Sequence, residues 1–298
     1  MQASGERIAL GAFLVGSVLA GGNAVGVRFS NRELSPLWGA GFRFALAAAL
    51  LAALMAGLRL RPPTGRALTG AVLYGALNFG AAFALAYYGF VEVHAGLGQT
   101  LLAVVPLATL LLAVLLRQER LRVSGIVGSL LALVGIAVLS QAPLREAVPF
   151  LSILALLASA LCFAQAAIVV RRFPSVHPVT MNAVAMGAAA VLLVAGSVLA
   201  GEPIELPERA ATWAAIAYLV VVGSVLVFSL YVLVLRYWSA SRTSYTFVLV
   251  PVVTVALSSW LDDEPVRLGL VIGGALVLIG VYVGALRQGE RSEQLSRS

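Results

Sequence analysis

The chain of 298 residues is 61% hydrophobic and 11% charged, and its mean hydropathy is +0.99. So little polar surface cannot cover a water-soluble globule of this length, which excludes a soluble protein and indicates a chain embedded in lipid. The formal net charge of +7 comes from arginines in short clusters between apolar runs, which is typical of membrane topology and argues against nucleic-acid binding.

Ten apolar windows follow one another along the chain, and each is long enough to cross about 30 Å of hydrocarbon as a helix of roughly 20 residues. Short breaks that contain Pro, Gly, Arg or acidic residues separate the windows, and no stretch predicts a soluble domain. We therefore predict an all-α polytopic membrane protein with ten transmembrane helices. The windows are 8–29, 34–58, 66–90, 95–116, 123–140, 149–170, 179–200, 211–235, 243–261 and 268–286.

An internal repeat organises these windows. The stretch 106–135 returns at a constant shift of 145 residues as 251–280, and a weaker echo at a shift of 142 residues relates the first helices of the two copies. The matches include prolines and glycines that apolar composition alone would not align, so they indicate two copies of one unit. The positions Pro106, Thr109, Leu112, Leu116, Glu119, Arg122, Gly128, Leu131, Leu133 and Gly135 return as Pro251, Thr254, Leu257, Leu261, Glu264, Arg267, Gly273, Leu276, Leu278 and Gly280, and Asn23 and Pro36 return as Gln165 and Pro178.

Each copy contains five predicted helices, an odd number, so the second copy enters the membrane from the opposite side and the repeat is inverted. We predict the first five-helix repeat over 1–145, the second over 146–287 and a disordered cytoplasmic tail over 288–298. With both termini inside, most loop arginines face the cytoplasm, as the positive-inside rule requires. Inverted repeats place a substrate site near the bilayer midplane and alternate its access, so this organisation is that of a transporter.

Two inverted halves of five helices, a proline in the fourth and ninth helices, a glutamate after each and a glycine-spaced helix after that resemble the EamA branch of the drug/metabolite transporter (DMT) superfamily. The resemblance covers nearly the whole chain, and it is strongest to bacterial exporters of amino acids and related metabolites. It implies a multi-pass carrier of the bacterial inner (plasma) membrane. The family's central cavity is lined mainly by the first four helices of each half.

Polar residues inside the predicted helices are candidates for substrate binding, because a polar side chain that faces lipid costs free energy. Amide groups can bind both the carboxylate and the ammonium group of a zwitterion. The alternative role is an interhelical hydrogen bond that holds the bundle together. The candidates are Asn23, Asn78, Gln99, Gln165, Asn182 and Ser224.

Arg43 is the most informative charge in the sequence. It lies about 13 Å of helical rise from the start of its window, and no acidic residue occurs at a comparable depth in any predicted helix. Its guanidinium must find carbonyls, water or a substrate carboxylate. We favour snorkelling toward the outer surface over direct substrate contact.

Aromatic residues in the helices expected around the cavity can provide an apolar wall and, in tyrosine, a hydroxyl group. Core packing is the alternative for any one of them. Most of the tryptophans near predicted helix ends are expected at the membrane interface; the four are Trp38, Trp213, Trp238 and Trp260. The aromatic candidates for substrate binding are Tyr74, Phe228, Tyr231 and Tyr245.

Structural or hinge roles are predicted for a further set of residues. Pro106 and Pro251 are expected to bend their helices and to act as gating hinges, with a static bend as the alternative. The glycine faces of the fifth and tenth helices are expected to allow close approach of a neighbour. The Glu-x-x-Arg pairs are expected to join to each other and to cap helix ends; they are Glu119 with Arg122 and Glu264 with Arg267.

Energy coupling is constrained by what the helices lack. His94 and His177 lie at helix ends and no acid lies at depth, so the sequence offers no proton relay and favours a facilitator or uniporter. It also lacks the paired residues of an intramembrane protease and a nucleotide-binding loop, so we expect no enzyme, no cofactor and no metal site. The expected partners are a small-molecule substrate and the lipid bilayer, without nucleic acid, and the expected state is a monomer.

These observations predict a transporter that exports neutral and aromatic amino acids and related small metabolites by alternating access through a central cavity. The alternative is an exporter of drugs, organic cations or another metabolite such as a nucleotide sugar, with proton coupling allowed.

Overall fold

The computed structural model describes residues 2–92, 101–140, 149–261 and 268–286. Within these ranges the regular secondary structure is helical and contains no strand. The all-α membrane architecture is thus confirmed, whereas the count of ten spans stays a prediction. Helices long and apolar enough to cross a membrane are Pro36–Gly57, Gly65–Gly89, Phe150–Arg172, Pro178–Leu199 and Ala210–Tyr237, and shorter apolar helices are Val105–Leu115, Val123–Val138 and Ile272–Ala285.

In the described part of the chain, three helices carry a π-helical segment, in which backbone hydrogen bonds connect residues i and i+5. In chain order the elements are α1 (Gln2–Gly21), α2 (Asn23–Ser30), α3 (Pro36–Gly57), α4 (Gly65–Gly75), π1 (Ala76–Ala81), α5 (Ala82–Glu92), α6 (Val105–Leu115), α7 (Val123–Ser140), α8 (Phe150–Arg172), α9 (Pro178–Leu199), α10 (Ala210–Val220), π2 (Val221–Leu226), α11 (Val227–Tyr237), α12 (Ala240–Thr243), α13 (Thr246–Leu261), α14 (Leu268–Val281) and π3 (Tyr282–Leu286).

The two copies of the repeat share helix boundaries. The elements α4, π1 and α5 begin and end 145 residues before α10, π2 and α11. The helices α3 and α9 are each 22 residues long and begin with a proline, whose fixed φ suits a first helical turn. They end before residues of left-handed backbone, Arg59 (φ 52°) and Gly201 (φ 69°). The shifts that relate the two copies in sequence therefore also relate their backbones.

Equivalent helices of the two copies pack against each other in antiparallel orientation. In the pair α3 and α9, a Cβ at Gly41 would lie 2.8 Å from the side chain of Val194, whereas one at Gly187 would lie 3.9 Å from Ala48. Residues early in one helix therefore contact residues late in the other. This pair forms the centre of the largest buried cluster.

The helices α7 and α14 cross in the same antiparallel way, through glycines. A Cβ at Gly128 would lie 2.6 Å from the Cα of Gly284, and one at Gly135 would lie 2.7 Å from the backbone nitrogen of Val277. Reciprocally, a Cβ at Gly280 would lie 2.6 Å from the carbonyl oxygen of Gly128. The prediction of close approach at these glycines is confirmed, and each helix is the neighbour of the other.

Trp238 lies in the protein interior, so it is not one of the tryptophans that form a lipid-facing belt. It is 1% exposed, its ring centroid lies 5.2 Å from that of Phe13, and the Arg242 guanidinium lies 4.2 Å from the ring. The indole therefore packs between Phe13 of α1 and the Arg242 guanidinium of α12.

The two predicted hinge prolines occupy different positions in their helices. Pro106 lies in the first turn of α6, after a turn at residues 103–104, whereas Pro251 lies inside α13. A proline in the first turn costs no helical hydrogen bond, so only Pro251 removes one from a described helix. Their gating role stays a prediction.

Candidate functional site

Arg43 projects from the middle of α3 into the bundle interior. It is 2% exposed; its Nε donates to Ser224 Oγ (2.8 Å) and its Nη2 donates to the Gly223 carbonyl oxygen (3.2 Å). The guanidinium therefore does not snorkel to the surface, and the interpretation favoured from sequence is wrong. The side chain stays in the interior because α10–π2–α11 brings two hydrogen-bond acceptors to the depth of Arg43. The sequence around Arg43 contains no pattern that predicts these acceptors.

The acceptors of Arg43 belong to π2, in the middle of a span. A π-helical turn widens the backbone and is frequent at functional sites. Gly223 is required there by packing, since a Cβ would lie 2.0 Å from Asn23 Oδ1 and 3.2 Å from Arg43 Nη2. The same residue thus receives Arg43 and borders Asn23. Of these two acceptor residues, the sequence analysis predicted Ser224 as a site residue but not Gly223. The absence of a side chain at Gly223 was the available signal for a close contact there.

Asn23 begins α2, directly after a break in the first helix. At the break, Tyr218 Oη donates to the Leu19 carbonyl oxygen (2.6 Å), and a Cβ at Gly22 would lie 2.4 Å from that hydroxyl. Asn23 Oδ1 is buried without a hydrogen-bond partner. A broken helix, a π segment and a buried cation therefore meet at one place, and broken helices are typical of substrate sites in transporters.

Aromatic rings form a connected group beside Arg43. The guanidinium carbon lies 5.2 Å from the Phe44 centroid and 5.8 Å from the Phe83 centroid, within range of a cation–π contact. The predicted residues Tyr74 and Phe228 both contact Phe79, at 5.5 and 4.6 Å between centroids. Neighbouring rings join at centroid distances up to 6.3 Å in the chain Phe79, Phe44, Phe83, Phe163, Phe247 and Tyr231.

Several polar atoms in the same part of the bundle are buried without a hydrogen-bond partner. Both amide atoms of Asn78 and of Asn182, and the hydroxyls of Tyr74 and Tyr231, share this property. Such groups cost free energy unless water or a ligand satisfies them. Asn78 lies in π1 and Asn182 in the first half of α9, so both copies of the repeat contribute.

The remaining candidates lie apart from Arg43 or outside the described residues. Gln165 is exposed on the face of α8 that also exposes Leu154 and Leu161. Tyr245 donates to the Gly125 carbonyl oxygen (3.0 Å) and lies 3.0 Å from Ser129 Oγ, which fixes it against α7. Gln99, Glu264, Arg267 and the tail after residue 286 lie outside the described residues.

Carboxylates join the two halves at the end of the bundle where α3 and α10 begin. Glu202 accepts from the backbone nitrogens of Leu37 (3.3 Å) and Trp38 (2.9 Å) at the start of α3. Glu33 accepts from the backbone nitrogens of Glu208 (2.9 Å) and Arg209 (3.2 Å) before α10. Each half thus caps the N-terminus of a helix in the other half. We call these contacts the reciprocal caps.

Glu119 has a comparable role at the opposite end. Its carboxylate accepts from the backbone nitrogen of Ser241 (3.2 Å) and from the Ser241 hydroxyl, in the first turn of α12. Arg122 also makes contacts, and Arg242 pairs with Glu6 at 2.6 Å. In the described part of the chain, no group of three or more His, Cys, Asp or Glu side chains could hold a metal ion.

Residues 7–141 and 150–285 each match the EamA-like transporter family. The chain belongs to the EamA-like transporter family. The resemblance inferred from the prolines, glutamates and glycines of the repeat is thus confirmed, including the DMT superfamily. The two matches also correspond to the two copies seen in the helix boundaries.

Relatives that align with most of this EamA-like transporter are also named as transporters. This chain is 27% identical over 280 residues to the uncharacterized transporter YyaM of Bacillus subtilis, and the alignment covers 90% of each chain. It is 29% identical over 266 residues to the uncharacterized inner membrane transporter YedA of Escherichia coli K12, which covers 86% of each. A solved crystal structure matches with a TM-score of 0.79 at 20% identity over 98% of the chain, which shows the fold alone. The protein is therefore a multi-pass membrane transporter.

Proposed function

We propose that this transporter exports neutral and aromatic amino acids and related small metabolites through a central cavity, by alternating access and as a facilitator. The observation that carries the proposal is the buried Arg43. Its hydrogen-bond acceptors, Ser224 Oγ and the Gly223 carbonyl, are both neutral. A buried guanidinium without a carboxylate is unfavourable, and it can form a bidentate pair with one. A substrate carboxylate would supply the missing negative charge.

The aromatic group and the unpaired amides match the other parts of an amino-acid substrate, its side chain and its ammonium group. Rings such as Phe44, Phe79 and Phe83 offer an apolar wall for a neutral or aromatic side chain. The unsatisfied amides of Asn23, Asn78 and Asn182 can accept hydrogen bonds from a substrate ammonium group. A zwitterion with an apolar side chain thus matches the guanidinium of Arg43, the aromatic group and the unpaired amides.

Alternating access draws its support from the relation between the two copies. Equivalent helices cross in antiparallel orientation, as they would in an inverted repeat of ten spans. The segments π1 and π2 lie at equivalent positions in spans that flank the site. We infer the inner membrane as location, with both termini in the cytoplasm and a monomer as the working unit.

The residues near Arg43 support facilitated transport. None of the described residues that contact Arg43 is an acid or a histidine, so the site offers no obvious proton carrier. The rival function is export of drugs or organic cations, with proton coupling, because an aromatic group can hold a cation. The positive charge of Arg43 within the same group opposes that function.

The test is flux of radiolabelled L-phenylalanine and L-leucine into proteoliposomes, with and without an imposed pH gradient. We expect saturable flux that the gradient does not change, and a reduction of ten-fold or more in Arg43→Gln. The matched control is Arg172→Gln, because Arg172 is an exposed arginine at a helix end. Flux that requires the gradient would overturn facilitation. No flux from folded wild-type protein, together with flux of an organic cation, would replace the amino-acid proposal by its rival.

A further inference from the structure

A cavity of about 190 Å³ lies at the end of the bundle opposite to the reciprocal caps, where α8 and α11 finish and α9 begins. Arg171 and Arg236 line it, in the last turns of α8 and α11. Phe173, Met181 and Val232 contribute apolar surface. The cavity is distinct from the group around Arg43, since α3 contributes no lining residue.

Backbone carbonyls hold the two arginines in place around this cavity. Arg171 Nη1 donates to the carbonyl oxygens of Leu235 (3.0 Å) and Trp238, and Arg236 Nη2 donates to that of Val176. A guanidinium carries five N–H donors, so each arginine has more donors than these bonds use. None of the described lining residues is acidic. Both arginines are exposed to solvent, and these bonds to carbonyl oxygens keep their guanidinium groups at the cavity. The cavity therefore presents two positive charges and favours an anion.

The size of the cavity limits the anion. Sites for drug-sized ligands usually measure about 300–1,000 Å³, so about 190 Å³ favours a smaller molecule. Its apolar wall suits an organic acid more than an inorganic ion. Met181 and Val232 also belong to the buried cluster that contains Tyr74 and Phe79, so the cavity adjoins the group proposed to bind substrate.

We propose that this cavity is a second binding site, in which Arg171 and Arg236 bind the carboxylate of an amino acid or similar small organic acid before it reaches Arg43. The role as an entry site rests on the proposed function, but the binding itself does not. Because the two arginines come from different helices, the site depends on the present arrangement of α8 and α11.

Equilibrium dialysis of radiolabelled L-phenylalanine against the purified full-length protein tests the proposal. We expect two classes of site in the wild type, and one class in Arg236→Gln. Ser175→Trp provides an independent variant, because it fills the cavity and keeps both arginines. Arg172→Gln should retain both classes, since Arg172 does not line the cavity. Phenethylamine, which lacks the carboxylate, should not compete for the class that Arg236→Gln removes.

The outcomes separate this site from the one at Arg43. Retention of both classes in Arg236→Gln and Ser175→Trp, or no phenylalanine binding in the wild type, would overturn the cavity site. A single class that is lost in Arg43→Gln and kept in Arg236→Gln would overturn it while the proposed function stands. A single class with the reverse pattern would support the cavity site and count against the proposed function. Size-exclusion profiles must match the wild type for each variant.

Discussion

At the scale of single residues, Gly223 is one of the glycine positions with the least room for a side chain. A Cβ there would lie 2.0 Å from Asn23 Oδ1, so Gly223→Ala forces either π2 or α2 to move. We expect a loss of about 1–3 kcal/mol in stability, as for other overpacked sites, and reduced flux. Thermal unfolding in detergent and proteoliposome flux measure the two effects.

The control for Gly223→Ala is Gly187→Ala, where the nearest heavy atom to the new Cβ is Ala48 Cβ at 3.9 Å. Combining Gly223→Ala with Asn23→Ala removes the clashing amide oxygen and should restore part of the stability. An unchanged unfolding midpoint in Gly223→Ala alone would mean that π2 does not pack on Asn23 as described.

A substitution at Gly201 tests the left-handed backbone conformation that follows α9. Its φ of 69° favours glycine, so Gly201→Ala should destabilise by about 1 kcal/mol although no atom lies within 4 Å of the new Cβ. Gly11→Ala is the matched control, because it is equally uncrowded but lies within α1, where alanine is favoured by about 0.5–1 kcal/mol. Opposite shifts of the unfolding midpoint are expected. Shifts of the same sign would contradict the backbone assigned to Gly201.

Arg43 marks the limit of residue-level reasoning from sequence. Its isolation among apolar residues correctly indicated that it needs a partner, but the direction of its side chain was not predictable. The acceptors are neutral groups of π2, and Gly223 is separated from Arg43 by 180 positions in the sequence. A charged partner would have left a signal in the sequence, whereas a carbonyl oxygen leaves none.

At the scale of elements, the reciprocal caps join the two halves at one end of the bundle. Burial alone would raise the pKa of Glu33, but hydrogen bonds from the backbone of Arg209 and Glu208 outweigh it and lower the pKa below its ordinary value of 4.5. A carboxylate with a lowered pKa stabilises the folded state while it is charged. This contribution is complete above the ordinary pKa and is lost as pH falls through the lowered value.

Glu33→Gln should therefore lower the unfolding midpoint at pH 7 and have a diminishing effect as pH falls below 4.5. Glu205→Gln is the control, because Glu205 takes part through its backbone carbonyl, which accepts from Trp38 Nε1 at 2.6 Å. Unfolding midpoints at pH 7 and at the lowest pH that the detergent-solubilised protein tolerates provide the comparison. An equal effect of Glu33→Gln at both pH values would rule out the carboxylate as the stabilising group.

The π segments show what helical periodicity cannot predict. The sequences of π1 and π2, ALNFGA and VVGSVL, are as apolar as the turns around them. Their hydrogen-bond pattern depends on the neighbouring helices that pack against them, and not on local propensity. The irregularity nevertheless follows the repeat, because π1 and π2 are related by the shift of 145 residues that relates the two copies.

At the scale of the whole molecule, the crossing of α7 and α14 is the most sensitive contact. Gly128→Val would place a branched side chain where even a Cβ lies 2.6 Å from Gly284. Because both sides of the contact are backbone, they cannot repack, so we expect loss of folded protein in fluorescence-detected size exclusion. Gly57→Val, at an open position at the end of α3, should leave the elution profile unchanged. A folded Gly128→Val would exclude the described crossing.

The overall organisation was largely predictable from the sequence, because the same two shifts appear in residues and in helix boundaries. Membrane location followed from composition, and the family followed from the prolines, glutamates and glycines of the repeat. The position of Gln165 did not follow, because an apolar window does not tell which of its faces contacts protein and which contacts lipid. Hydropathy alone cannot distinguish these two apolar surroundings. The burial of Trp238 did not follow either, because Trp238 lies between two apolar windows, where hydropathy predicts no packing partner.

The antiparallel pairs α3 with α9 and α7 with α14 have a consequence for how such a chain can be divided. Each pair brings one surface of the unit against the corresponding surface of its second copy, which is the geometry of an isologous homodimer. The covalent link between the halves is therefore a tether and not the source of their recognition. Residues 1–145 and 146–298, produced as separate polypeptides in one cell, should assemble through the same two crossings.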